Sequence, residues 1–133
     1  TMSTEDNQTP KNLINIITFN VRATKTVGDD GVIPWVNIAR ANEEILNLID
    51  ADEIVIKEEA VMLSIDYPFE NPGSFWLTSE NGYTRRQLLI SIRDIFLELS
   101  KKQNIEVDAL DLVALDVYKT DSGMIEITLD IDL

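Results

Sequence analysis

The stretch 112–132 constrains the fold more than any other part of the chain. Val113, Leu115 and Val117 alternate with polar residues, and Ile125, Ile127, Leu129 and Ile131 do the same after Thr120-Asp121-Ser122-Gly123. A two-residue period sends successive side chains to opposite faces of a strand. Glycine in a short polar turn takes the positive φ that closes a hairpin. The pattern therefore predicts strands near 112–119 and 124–132, each with one apolar and one polar face. Pairing the apolar sets with Val117 opposite Ile125 sets Asp116 opposite Glu126, because directly opposed residues share a face. Asp130 and Asp132 continue that polar face, so four carboxylates gather on the side that is not core.

Upstream, residues 1–10 are polar and end at Pro10, which reads as a flexible arm before a single domain over 11–133. A chain of 133 residues, 44% of them hydrophobic, has enough material for one core and no room for a second. From Leu13 to Lys25 the apolar Ile17, Phe19, Val21 and Ala23 alternate with polar residues, the mark of a half-buried strand. Gly28-Asp29-Asp30-Gly31 ends it. Pro34 suits the first turn of a helix whose stripe is Ile38, Ala41, Ile45, Leu48 and Ile49. An extended segment follows from Ile54 to Tyr67, interrupted by a bulge or turn at Lys57-Glu58-Glu59, with Val61, Leu63, Ile65 and Tyr67 on one face. After turn residues 68–73, Phe75-Trp76-Leu77-Thr78 returns as a strand. Phe75 and Trp76 are adjacent and must point to opposite faces, and an exposed Trp76 would be a binding anchor.

A helix is predicted from Thr84, where Thr84 and Gln87 have the spacing of a capping box and Tyr83 with Leu88 that of a hydrophobic staple. Its core stripe is Leu88, Leu89, Ile92, Ile95, Phe96 and Leu99, widened by Ile90 and Leu97. It also gathers positive charge, with five bases against two acids between 84 and 102. Arg85 and Arg86 oppose the helix dipole at its first turn, which pairing with the chain's own carboxylates would relieve. The expected architecture is α+β: a mostly antiparallel sheet of four to five strands, two main helices on one face and a C-terminal β-hairpin.

Composition narrows the chemistry. Without cysteine or histidine there is no thiolate nucleophile, imidazole base, disulfide, or zinc site built on nitrogen and sulfur. Twenty-four acids against eleven bases leave a net charge of −13, which repels nucleic acid and anionic membrane and favours a basic protein partner. No apolar run reaches the ~18 residues of a membrane span, and the start lacks the pattern of a secretory signal, so the expected location is cytoplasmic. Gly28–Gly31 lacks the Gly-Lys-Ser/Thr end of a phosphate-binding loop. Aligning the final turn with a helix-loop-helix calcium site puts Tyr118 and Leu129 at ligand positions, so that reading fails. No catalytic, cofactor or metal residues are expected. The candidate partner-binding residues are Asp116, Glu126, Asp130, Asp132 and Trp76; the plainer reading of the same carboxylates is a solvated outer face.

Two resemblances bear on function. Asp66-Tyr67-Pro68-Phe69-Glu70-Asn71-Pro72 resembles the Tyr-Pro-x-x-x-Pro turn of ubiquitin-conjugating enzymes and RWD domains, but without their catalytic cysteine and with one strand segment between the first helix and the motif where they have three. It implies an interaction domain. Leu63 to Leu133, through Gly82-Tyr83-Thr84-Arg85-Arg86-Gln87-Leu88-Leu89-Ile90-Ser91-Ile92 and Ile127-Thr128-Leu129-Asp130-Ile131-Asp132, is similar to a family of small uncharacterised proteins of protists, plants, large DNA viruses and some bacteria. That resemblance implies no activity. The expected function is a non-catalytic acidic protein-binding module, most concretely an inhibitor of immunity type that captures a basic partner such as a nuclease toxin. An accessory or scaffold module of a larger assembly is the alternative, and a carboxylate-only hydrolase the third reading.

Overall fold

The computed structural model describes residues 11–22, 31–66, 69–71, 73–106 and 110–132. The chain runs through β1 (Lys11–Thr18), β2 (Val21–Arg22), β3 (Val32–Ile33), β4 (Val36–Asn37), a helical stretch over 38–47 that contains α1 (Ala41–Glu44), then β5 (Ile54–Ile56), β6 (Ala60–Ile65), β7 (Gly73–Thr78), β8 (Tyr83–Thr84), α2 (Arg85–Gln103), β9 (Asp111–Thr120) and β10 (Ile125–Asp132). The sequence expectations for the arm at 1–10, for the strand end at Ala23 to Lys25 and its break at Gly28-Asp29-Asp30, and for Tyr67, Pro68 and Pro72 fall outside the described residues.

The architecture is α+β with a mostly antiparallel sheet. Its order is β1-β9-β10-β6-β7, with β4 pairing the same strand β9 beyond the end of β1, which makes six strands. Among the described strands only β6 and β10 run parallel. Parallel neighbours need a long crossover, and α2 lies within it. One buried cluster joins Ile17, Leu63, Leu115, Val117 and Ile127 of the sheet to Leu88, Leu89, Ile92 and Phe96 of α2 and Ile38, Ala41 and Ile45 of the first helical stretch.

The start of α2 follows local chemistry. Gln87 N–H donates to Thr84 Oγ1 at 3.1 Å and Thr84 N–H donates to Gln87 Oε1 at 2.8 Å, closing the capping box. Asn104 ends the helix in the left-handed conformation at φ 56°, its N–H donating to the Ser100 carbonyl. Leu88, Leu89, Ile92 and Phe96 are buried, while Ile95, Leu97 and Leu99 pack partly against the core. Ile90, expected to widen the stripe, instead faces solvent.

The first helix is less regular than expected. Pro34 precedes β4 instead of opening a helix, because Val36 and Asn37 are drawn into a ladder with Leu112 and Asp111. The stretch 38–47 is then one turn of α-helix between two 3₁₀ turns. Asn37 Oδ1 accepts from Arg40 N–H at 3.1 Å, and the Glu44 carboxylate accepts from Asn37 N–H at 2.7 Å. Ile38, Ala41, Ile45 and Leu48 nonetheless all reach the core, so the apolar spacing held where the helix type did not.

The described part of the expected segment, 54–66, holds two strands. β5 leaves the main sheet to pair with β8, and β6 begins after Lys57-Glu58-Glu59. The first strand is likewise interrupted at Phe19-Asn20, although Ile17, Phe19 and Val21 are all buried as the alternation required.

Candidate functional site

The final hairpin positions the acidic face, and its register differs from the expected one. Ile125 faces Lys119, Glu126 faces Tyr118, Ile127 faces Val117 and Thr128 faces Asp116. The turn explains the shift. Gly123 adopts φ 90°, its N–H donates to the Thr120 carbonyl, and Thr120 N–H donates to the Met124 carbonyl, both at 2.9 Å. The loop is thus Asp121-Ser122-Gly123, a three-residue turn with glycine in the left-handed position. With Val117 opposite Ile125 a three-residue loop would have been Thr120-Asp121-Ser122, leaving Gly123 on the strand and a non-glycine residue at the left-handed position. Because the register moves by an even number, the side chains between this turn and the Asp130–Ala114 pair keep their expected faces.

The direct pair Asp116–Glu126 is therefore replaced: Asp116 stands diagonal to both Glu126 and Asp130. The carboxylates that do face each other are Asp111 and Asp132. A bulge between Leu112 and Ala114 brings them opposite one another, and it also makes Leu112, rather than the expected Val113, the buried residue.

Ladder pairs extend these positions across the sheet. One lateral row runs Leu13, Tyr118, Glu126, Met62 and Trp76. The next runs Ile16, Asp116, Thr128, Ser64 and Ser74. At about 4.8 Å per strand each row spans roughly 19 Å. Trp76 is 56% exposed, Leu13 51% and Ile16 52%, while Tyr118, Asp116, Glu126 and Met62 are half-buried. Phe75, opposite Leu63, packs on the core, so of the adjacent aromatics it is Trp76 that faces water. Ser64 Oγ donates to Glu126 Oε2 at 3.1 Å, tying that carboxylate to the neighbouring strand. The five strands of these rows carry two bases, Lys11 at the start of β1 and Lys119 near the end of β9, and neither falls within the two rows.

The acidic face thus carries an apolar component that charge patterning alone did not reveal. Leu13, Ile16, Met62 and Tyr118 were not among the sequence candidates. The even positions of 112–132 marked Tyr118 as an outward residue, but no sequence signal places Leu13 or Met62 beside it, since strand order is a tertiary property.

The bases are concentrated elsewhere. Arg85 donates to the Thr18 carbonyl at 2.8 Å, the Asp50 carbonyl at 3.1 Å and Glu53 Oε1 at 2.6 Å. Arg86 pairs with Asp52 at 3.0 Å. The α2 backbone N–H groups of Arg85 and Arg86 donate to the Glu53 and Ala51 carbonyls, so the arginines at this helix end stitch the 50–53 loop to the body. Buried under that region, the Tyr83 hydroxyl has no hydrogen-bond partner among the described residues, and burial raises its pKa above the ordinary phenol value. Among the described residues no group of three or more carboxylates is placed to hold a metal ion. No helix of the described residues is long and apolar enough to cross a membrane.

No protein-family model matches the chain, and neither a curated protein nor a solved structure does.

Proposed function

We propose that the chain is a non-catalytic protein-binding module that takes a basic partner on the open face of its sheet. The observation that supports this reading is the lateral row Leu13, Tyr118, Glu126, Met62, Trp76 beside Asp116 and Asp130. It combines exposed apolar side chains with carboxylates, and the two bases of these strands, Lys11 and Lys119, stand at the strand ends outside both lateral rows. Apolar anchors supply affinity at an interface, with tryptophan and tyrosine prominent among them. Surrounding carboxylates steer a partner of opposite charge and raise the association rate. An inhibitor of immunity type, capturing a basic toxin, is the most concrete form of this function.

The test is capture from the native lysate at low and at high salt, followed by association kinetics with the captured protein. Wild-type chain should retain a basic protein at low salt. Asp116→Lys should slow its association and Trp76→Ala should speed its release. Equal rates for wild type and both variants would remove this face as the binding site.

A further inference from the structure

The parallel pair β6 and β10 opens at its carboxyl end. β6 and β10 stay in register from Val61 and Ile125 to Ser64 and Thr128. Beyond that point Ile65 remains with Gly73 of β7, while Leu129 remains with Leu115 of β9. Neighbouring strands that follow different partners part, and between them lies a cavity of 470 Å³, the size of a small-molecule site. Its floor is apolar, made by Ile65, Phe96 and Leu129, and its rim carries Thr128 and the carboxylates of Asp66 and Asp130. Phe96 is fully buried, with its ring 5.3 Å from that of Phe69, so the floor is a packed part of the core.

The rim carboxylates differ from those near α2. Asp52 and Glu53 are held by arginine, whereas the exposed side chains of Asp66 and Asp130 make no hydrogen bond or ion pair to another described residue. Among the described residues no lysine or arginine lines the cavity. Two uncompensated negative charges above an oily floor select a ligand with one charged and one apolar end. A bare divalent ion needs some six to eight oxygens around it and gains nothing from the apolar Leu129 and Ile131. An anion is repelled.

We infer that this cleft binds an organic cation, a primary amine or guanidinium on an apolar stem. The stem lies along Leu129 and Ile131, the half-buried apolar residues of the lining, and the head sits at the Asp66 and Asp130 rim. The cation is either a free amine or a lysine or arginine side chain offered by a protein. This inference goes beyond the docking surface and does not require it; the two share only Asp130.

The experiment titrates the full chain with spermidine, with agmatine and with a short oligolysine peptide, reading the methyl signals of Ile65, Leu129 and Ile131 by NMR. Saturable shifts at these methyls are expected. Asp66→Asn combined with Asp130→Asn should weaken binding about tenfold or more through loss of charge-assisted contacts. The charge-matched control Glu58→Gln with Glu106→Gln should leave it unchanged. Shifts with spermidine or agmatine identify a free cation as sufficient, and shifts with oligolysine alone identify a protein side chain. Both pairs replace exposed residues, and thermal unfolding checks that each variant is folded. Absence of methyl shifts with all three probes overturns the inference, as does equal weakening by the control pair, which would mean diffuse attraction to a chain of net charge −13. Trp76→Ala and Asp116→Lys should leave spermidine binding intact, so failure of the docking surface and failure of the cleft are separable.

Discussion

Two lateral rows cross the same five strands one residue apart and have opposite fates. Asn15, Val117, Ile127, Leu63 and Phe75 form the inner row; Leu13, Tyr118, Glu126, Met62 and Trp76 form the outer one. Val117, Ile127 and Leu63 are buried against α2, whereas the ends of the outer row, Leu13 and Trp76, are more than half exposed. Both rows contain large apolar residues. Apolar character alone therefore does not separate stabilising residues from recognition residues; the helix covering one face does. An inner side chain gains the transfer free energy of full burial, about 1.5–3 kcal/mol, while an outer one keeps most of that gain for a partner.

The sharpest way to break this comparison is to remove an aromatic ring from each side. Phe96→Ala should cost about 3–5 kcal/mol in chemical denaturation, since its ring is wholly enclosed. That is a large share of the roughly 5–15 kcal/mol available to a domain. Thr84→Ala, which removes the N-cap oxygen of α2, should cost about 0.5–2 kcal/mol and leave partner affinity per folded molecule unchanged. Trp76→Ala removes a larger ring and should still change stability by no more than about 0.5 kcal/mol, the range of surface substitutions. A loss like that of Phe96→Ala would make the outer row part of the fold's own support.

The smallest expected effect concerns Tyr83. Its neutral form is favoured by burial, so its pKa in the folded state lies above that in the unfolded chain. The folded protein then holds its phenolic proton longer. The contribution is complete below about pH 10 and is lost as pH rises through the raised value. Tyr83→Phe should flatten the alkaline end of the stability profile. At neutral pH it should change stability by only about 0.5 kcal/mol, because the hydroxyl has no partner among the described residues. A marked loss at neutral pH would mean that the hydroxyl is satisfied in solution.

The helix start at Thr84, the buried spacing of Leu88, Leu89, Ile92 and Phe96, and the alternation of the last two strands depend on neighbours within a few residues of one another. Short-range steric and hydrogen-bonding rules therefore reached them. The same rules reached the outward sense of Asp116, Glu126 and Asp130, and the division between Phe75 and Trp76 once they were placed on a strand. They failed where a segment had a competing long-range partner. Val36 and Asn37 pair with the end of β9 and so displace the expected start of the first helix. Likewise β5 leaves the main sheet for β8.

Residue types and their periods are properties of the chain, and they sufficed for the class of fold, the main helix and the faces of the terminal strands. Lateral neighbours arise only when distant strands are laid side by side. Leu13 and Tyr118 belong to different strands, as do Met62 and Trp76, and no local period encodes which strands will meet. The Asp111–Asp132 pair and the Asp66–Asp130 cleft belong to this second kind, created by a bulge and by the parting of two parallel strands. A side chain's face follows from the backbone's two-residue repeat, but its company depends on burying the whole core at once, a global minimisation that no local stretch of sequence performs.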